Sequence, residues 1–217
     1  MIWDDRFTTI PAAPRYVVEK TYGSRPFSLL EGSGLRVKYV ANRNCPRAEV
    51  QPRTDPDNNV GIRLPKGQVL NFSTAIRVNS EVQKNKSVLM QWYQAMKGNP
   101  PLSLELLGSE LKLVRLWFDR PWPGYNANRE TIWRYPIARR VWYDLDFTLV
   151  FDSALAGGGF VQVSVDGEIG DVILGPNCYG DDVGILPKFG IYRAGAKDGS
   201  VPIGQVTTVD FAHMRIW

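Results

Sequence analysis

Apolar and polar residues alternate along most of this chain with a period of two, and the 3.6-residue rhythm of an amphipathic helix is almost nowhere to be found. The clearest stretch is 141–151, where Val141, Tyr143, Leu145, Phe147, Leu149 and Phe151 share one face of a half-buried core strand. After Gly157-Gly158-Gly159 the alternation resumes over Phe160 to Val165. Asp166-Gly167 then supplies the residues of a tight hairpin turn. Further strands are predicted at Leu35 to Val40, Arg47 to Gln51, Val69 to Val78, Ser87 to Ala95, Leu102 to Leu107, Leu111 to Trp117, Lys188 to Arg193 and Val206 to Trp217. Gly, Pro, Asn and Asp clusters separate them, which predicts an all-β sandwich of two antiparallel sheets. The segment from Phe118 to Arg140 is dense in proline and aromatic residues and reads as a long irregular loop. The first fifteen residues, with Pro11 and Pro14, read as an extended arm. Neither a repeat nor a break in composition divides the chain, so a single domain over residues 1–217 is expected.

Composition narrows the picture. At 217 residues and 44% hydrophobic content the chain suits one large sandwich. Lys and Arg number 26 against 22 Asp and Glu, a net charge of +4 that favours an anionic polymer. The basic residues are not gathered into a nucleic-acid arm, so no nucleic acid is expected as a partner. There is no apolar run long enough for membrane insertion, and the N-terminus lacks the regions of a signal peptide. Cys45 and Cys178 are either one disulfide or two thiols. With a single histidine, His213, and no Cys/His cluster, neither a metal nor a cofactor is expected.

The polar residues opposite the apolar faces are the candidate chemistry. Alternation places Gln91 and Tyr93 together, Arg47 and Glu49 together, and Lys188 and Tyr192 together, each pair on the side of its strand away from the core. Val69 to Val78 adds Asn71, Ser73 and Arg77. If these strands share one sheet, the polar groups line a groove. Trp92 and Trp142 read as core, His213 as structural, and Trp122 and Trp133 in the long loop either stack on sugars or anchor the loop.

Three short motifs carry a family resemblance. Arg47-Ala48-Glu49-Val50, Gln91-Trp92-Tyr93 and Lys188-Phe189-Gly190-Ile191-Tyr192, in that order, resemble motifs of the jelly-roll polysaccharide lyases, the group of alginate, glucuronan and heparin lyases. Arg193 completes a form of the third motif found in the glucuronan-lyase-like branch. The second motif departs from the family, which has histidine where this chain has Tyr93.

The resemblance implies a β-jelly-roll with a concave groove and cleavage of a uronic-acid polysaccharide by β-elimination. Such a reaction needs the substrate carboxylate neutralised, a task suited to Arg47 and Gln91. Tyr192 would serve as base and acid. A phenol ionises near pH 10 in water, so a base at neutral pH needs cations close by, here Lys188 or Arg47. Tyr93 would stand in for the family histidine. Glu49, Asn71, Arg77, Arg193, Trp122 and Trp133 are expected to bind substrate, with Glu49 also orienting Arg47 or Lys188.

Two readings stand at this point. One is a lyase on an anionic exopolysaccharide, with a phage-associated depolymerase as its specific form. The other is a degenerate lyase-like module that binds carbohydrate or builds a virion or cell surface. An extracellular or virion-associated setting follows from either, with a cytoplasmic one left open. A lectin-like binder ranks lower, and a glycoside hydrolase lower still, because the groove face offers Glu49 alone where two carboxylates are needed.

Overall fold

The alternation resolves into two antiparallel sheets packed face to face. The computed structural model describes residues 3–9, 16–19, 26–31, 33–41, 47–53, 61–80, 83–94, 99–117, 128–153, 159–180, 183–193 and 200–217, and no helix forms among them. In spatial order the first sheet runs β10 (Asn128–Pro136), β9 (Glu110–Trp117), β8 (Leu102–Gly108), β7 (Gln83–Tyr93), β15 (Leu186–Tyr192), β5 (Arg47–Pro52) and β2 (Tyr16–Glu19). The second runs β13 (Glu168–Ile169), β12 (Phe160–Val165), β11 (Trp142–Val150), β6 (Val69–Val78), β16 (Val206–Phe211), β4 (Leu35–Val40) and β3 (Phe27–Leu29). Beside it, β17 (Met214–Ile216) pairs with both β6 and β1 (Trp3–Asp5), and β14 (Ile173–Leu174) pairs with β12.

Large aromatic side chains on the two inner faces join the sheets. Trp92 of β7 is fully buried and meets Phe72 of β6 and Phe147 of β11 edge-on, at centroid distances of 5.4 and 5.3 Å. Phe189 of β15 meets Phe211 of β16 at 5.6 Å. Burying each such ring contributes about 2–3 kcal/mol, and the inner residues of β15 are thereby anchored to the opposite sheet.

Three sequence expectations about the strands change. Trp3–Asp5 is a strand in register with Met214–Ile216 rather than an arm, and Tyr16 donates its hydroxyl proton to the Asp5 carboxylate, tying the start of the chain to the sandwich. The predicted loop at 118–140 contains β10, whose Trp133 and Tyr135 stack at 5.8 Å and pack against the core, with proline only at the strand end, where a missing N–H is tolerated. Val206 to Trp217 divides into β16 and β17. In β7 the pairing with β8 shifts register between Val88 and Met90, and this bulge turns Val88 to the outer face, where it lines a pocket with Ser103, Glu105 and Tyr192.

Asn71 and Arg77 lie on β6, in the opposite sheet from Arg47, Gln91 and Tyr192. Asn71 accepts a hydrogen bond from Thr148 at 3.0 Å. Arg77 donates to Asp210 at 2.7 and 3.0 Å, and its guanidinium lies 4.6 Å over the ring of Trp142, which therefore sits outside the core. Arg36 donates to both oxygens of Asp210, at 2.7 and 3.0 Å. Burial pushes the Asp210 carboxyl up, but the hydrogen bonds from Arg36, Arg77 and Asn79 outweigh it and hold the group below its ordinary value. A carboxyl lowered in the folded state contributes stability above its unfolded pKa, near 4, and loses it as pH falls through the folded value. Asp210→Asn should therefore cost about 2 kcal/mol at pH 7. Urea midpoints at pH 7 and pH 3 should show the gap between variant and wild type narrowing in acid.

Candidate active site

Three adjacent strands, β7, β15 and β5, bring the site together. Register sets Lys188 beside Gln91, Gly190 beside Glu49 and Tyr192 beside Arg47. The alternating partners Ala48, Val50, Phe189 and Ile191 are buried in the core, so the polar set occupies the outer face. At the centre is Gly190, with φ of 135°, a backbone conformation that side chains rarely adopt. A Cβ there would fall 2.2 Å from the carbonyl oxygen of Ala48. The missing side chain lets β5 approach and leaves a gap in β15 across which Gln91 of β7 donates its amide N–H to the Glu49 carboxylate of β5.

That bond decides what Glu49 does. Its side chain is fully buried and holds Gln91, where the sequence reading had it on the open face among the binding residues. An amide nitrogen carries two protons, and Glu49 takes one of them. Glu49 also lies 3.7 Å from Arg47, whose side chain is 30% exposed. The Arg47 guanidinium stands 4.7 Å over the ring of Tyr192, and the Lys188 ammonium 4.5 Å over the ring of Tyr93. Each tyrosine thus has its own cation, each contact contributing about 0.5–2 kcal/mol. Lys188 and Gln91 are mostly covered, whereas Tyr93, Tyr192 and Arg47 keep open surface.

Among the described residues, the other expected binding candidates are elsewhere. Arg193 follows Tyr192 but points to the other side of β15; it is fully buried, with one nitrogen 3.0 Å from the Thr207 hydroxyl, and burial lowers its pKa. Trp133 packs toward the core. Trp122 and Cys45 lie outside the described residues; Cys178 is buried. His213 sits between β16 and β17 with its Nε2 3.0 Å from the Ser73 hydroxyl, on the opposite sheet. As it is the chain's one histidine, the site has no imidazole.

The sequence reading missed Glu105. This carboxylate is nearly buried on the outer face of β8, beside Ser103, and receives Lys86 at 3.1 Å and Arg129 at 2.9 Å. The alternation Leu102-Ser103-Leu104-Glu105-Leu106 was the available signal, a polar pair in phase with those of the other three site strands.

A family model described as polysaccharide lyase matches residues 16–209. The chain belongs to the polysaccharide lyase family. All three motif strands fall inside the matched region. Among solved structures, an endo-β-1,4-glucuronan lyase from the fungus Trichoderma reesei is similar at a TM-score of 0.68, with 14% identity, covering 97% of this chain and 90% of that one. An alginate lyase from Pseudomonas aeruginosa is similar at 0.58, with 16% identity and coverage of 90% and 87%. One from Corynebacterium sp. is similar at 0.62, with 14% identity and coverage of 91% and 83%. At these identities the likeness is one of fold, the lyase jelly roll. No curated protein matches the chain by sequence.

Proposed function

We propose that this polysaccharide lyase cleaves a polymer of uronic acid by β-elimination, with Tyr192 as the proton-transfer group and Arg47 and Gln91 as the carboxylate clamp. The observation that carries the reading is the gathering of these three side chains around Gly190 on adjacent strands. Fold neighbours include proteins named for glucuronan and for alginate, both polymers of uronates. Family membership supplies the reaction class.

The chemistry follows from charge. A uronate carboxylate discourages loss of the proton on its neighbouring carbon, because removal builds more negative charge on the same group. Arg47 offers charge-assisted donors and Gln91 a neutral one, so together they receive the enolate that forms. Tyr192, as phenolate beneath the Arg47 guanidinium, takes the proton from the carbon bearing the carboxylate. The electron pair then forms the new carbon–carbon double bond and the bond to the glycosidic oxygen breaks. The proton held on Tyr192 passes to the leaving oxygen, restoring the phenolate. Tyr93 stands where the family has histidine, and with Lys188 over its ring it orders the far side of the clamp.

The test is incubation with polyglucuronate, polymannuronate and polyguluronate while following the ultraviolet absorbance of the unsaturated product. Wild type should generate it on at least one polymer. His213→Gln should do so at the wild-type rate, because that imidazole is bonded to Ser73 on the other sheet. No absorbance on any polymer, with the protein still retained by one of them, would overturn the reaction and leave a carbohydrate-binding module.

A further inference from the structure

Beside Tyr192 the outer face continues into a pocket of about 270 Å³, whose lining includes the apolar Val88, Leu116 and Pro100 and the charged Lys86, Arg129 and Glu105. The Glu105 side chain is 6% exposed, while Lys86 and Arg129 keep 43% and 48% of theirs open. One oxygen of Glu105 takes the Lys86 ammonium and the Ser103 hydroxyl at 3.1 and 3.3 Å; the other takes Arg129 at 2.9 Å. Ordinary surface ion pairs join one cation to one anion, both in water. Here a single covered carboxylate fixes two cations that reach it from different strands, β7 and β10, and the triad keeps one net positive charge.

We infer that this pocket is a second uronate subsite, which takes the sugar next to the one undergoing elimination and thereby selects polymers with adjacent uronates. The inference rests on the proposed reaction at Tyr192. The pocket's two surfaces match the two surfaces of a uronate. Val88, Leu116 and Pro100 offer apolar surface to the C–H face of a pyranose ring, and Lys86 and Arg129 offer donors to its carboxylate. Tyr192 lines the same pocket, so a sugar seated there is a direct neighbour of the reacting residue. A neutral sugar would cover the two cations without supplying an anion, an uncompensated desolvation that disfavours it. Glu105 touches no substrate in this arrangement. It is a positioning residue that keeps both cations turned to the pocket.

The experiment compares wild type with Lys86→Gln/Arg129→Gln and with the charge-matched control Lys38→Gln/Arg139→Gln, whose sites are exposed and away from the pocket. Substrates are polyglucuronate, polymannuronate and a heteropolymer in which each uronate is flanked by neutral hexoses. The pocket variant should raise KM on the polyuronate that is cleaved by about tenfold or more, with kcat within about threefold, because the lost contacts serve binding more than the reacting carbon. Its preference for polyuronate over the heteropolymer should shrink. Glu105→Gln should shift KM in the same direction by a smaller factor. Equal KM values for the pocket and control variants, or an unchanged preference, overturn the subsite while leaving the reaction at Tyr192 standing. If wild type forms no unsaturated product, retention in polyglucuronate gels decides instead. Weaker retention of the pocket variant than of the control sustains the subsite without the reaction, and equal or absent retention overturns both.

Discussion

Tyr192→Phe should reduce formation of the unsaturated product by about 10³-fold or more while leaving polymer binding nearly intact. The proposed reaction asks the phenolic oxygen both to take a proton and to return it, and one positioned acid or base supplies about 10²–10⁴-fold. Phenylalanine keeps the ring under the Arg47 guanidinium, so the contact at 4.7 Å and the packing of β15 survive. The fall should therefore appear in kcat, with KM little changed. Single-turnover absorbance and gel retention measured on the same preparation separate the two effects. A phenylalanine variant keeping more than about a tenth of wild-type turnover would remove Tyr192 from the chemistry and move attention to Tyr93.

Gly190→Ala should have the second largest effect, and it should strike stability and activity together. The new Cβ would meet backbone atoms of β5, the Ala48 oxygen at 2.2 Å and the Glu49 Cα at 2.8 Å, which cannot swing aside as a flexible side chain would. Alanine at φ of 135° adds its own strain. Relief requires β5 to move away from β15, which pulls Arg47 from Tyr192 and Glu49 from Gln91. A loss of about 3 kcal/mol or more is expected from the combined clash and broken pairing. Urea unfolding should register it as a lower midpoint at unchanged slope. Near-wild-type stability with full turnover would show that β5 does not need its close approach.

The strands were largely legible because alternation is a local property. Val69–Val78 and Phe160–Val165 emerge with the bounds predicted for them. Which sheet a strand joins is not local. The polar residues of β6 alternate as cleanly as those of β7, yet a sandwich has two outer faces, and Asn71 and Arg77 occupy the one away from Tyr192. The bulge at Val88 and Met90 was equally hidden, since an inserted residue leaves composition unchanged and only the partner strand reveals the shift. Arg193 was a different matter. Its parity with Phe189 and Ile191 already placed it inward, and its appeal came from its position next to the third motif. Trp133 was lost to the density of proline and aromatics around it, which disguised an edge strand as a loop.

The order of strands also governs when the site can come into being. β15 lies between β5 and β7, although its residues follow theirs in the chain by about a hundred positions or more. Until β15 arrives, β5 and β7 have no hydrogen-bonded connection to each other, and each presents a bare edge open to pairing with another chain. Pairings this distant in sequence close slowly, after the local hairpins have formed. During synthesis, then, the polypeptide carries Arg47, Glu49 and Gln91 through most of its length with no capacity to act. Competence arrives in one late insertion, and a ribosome that stalls before it leaves two sticky half-sheets in place of an enzyme.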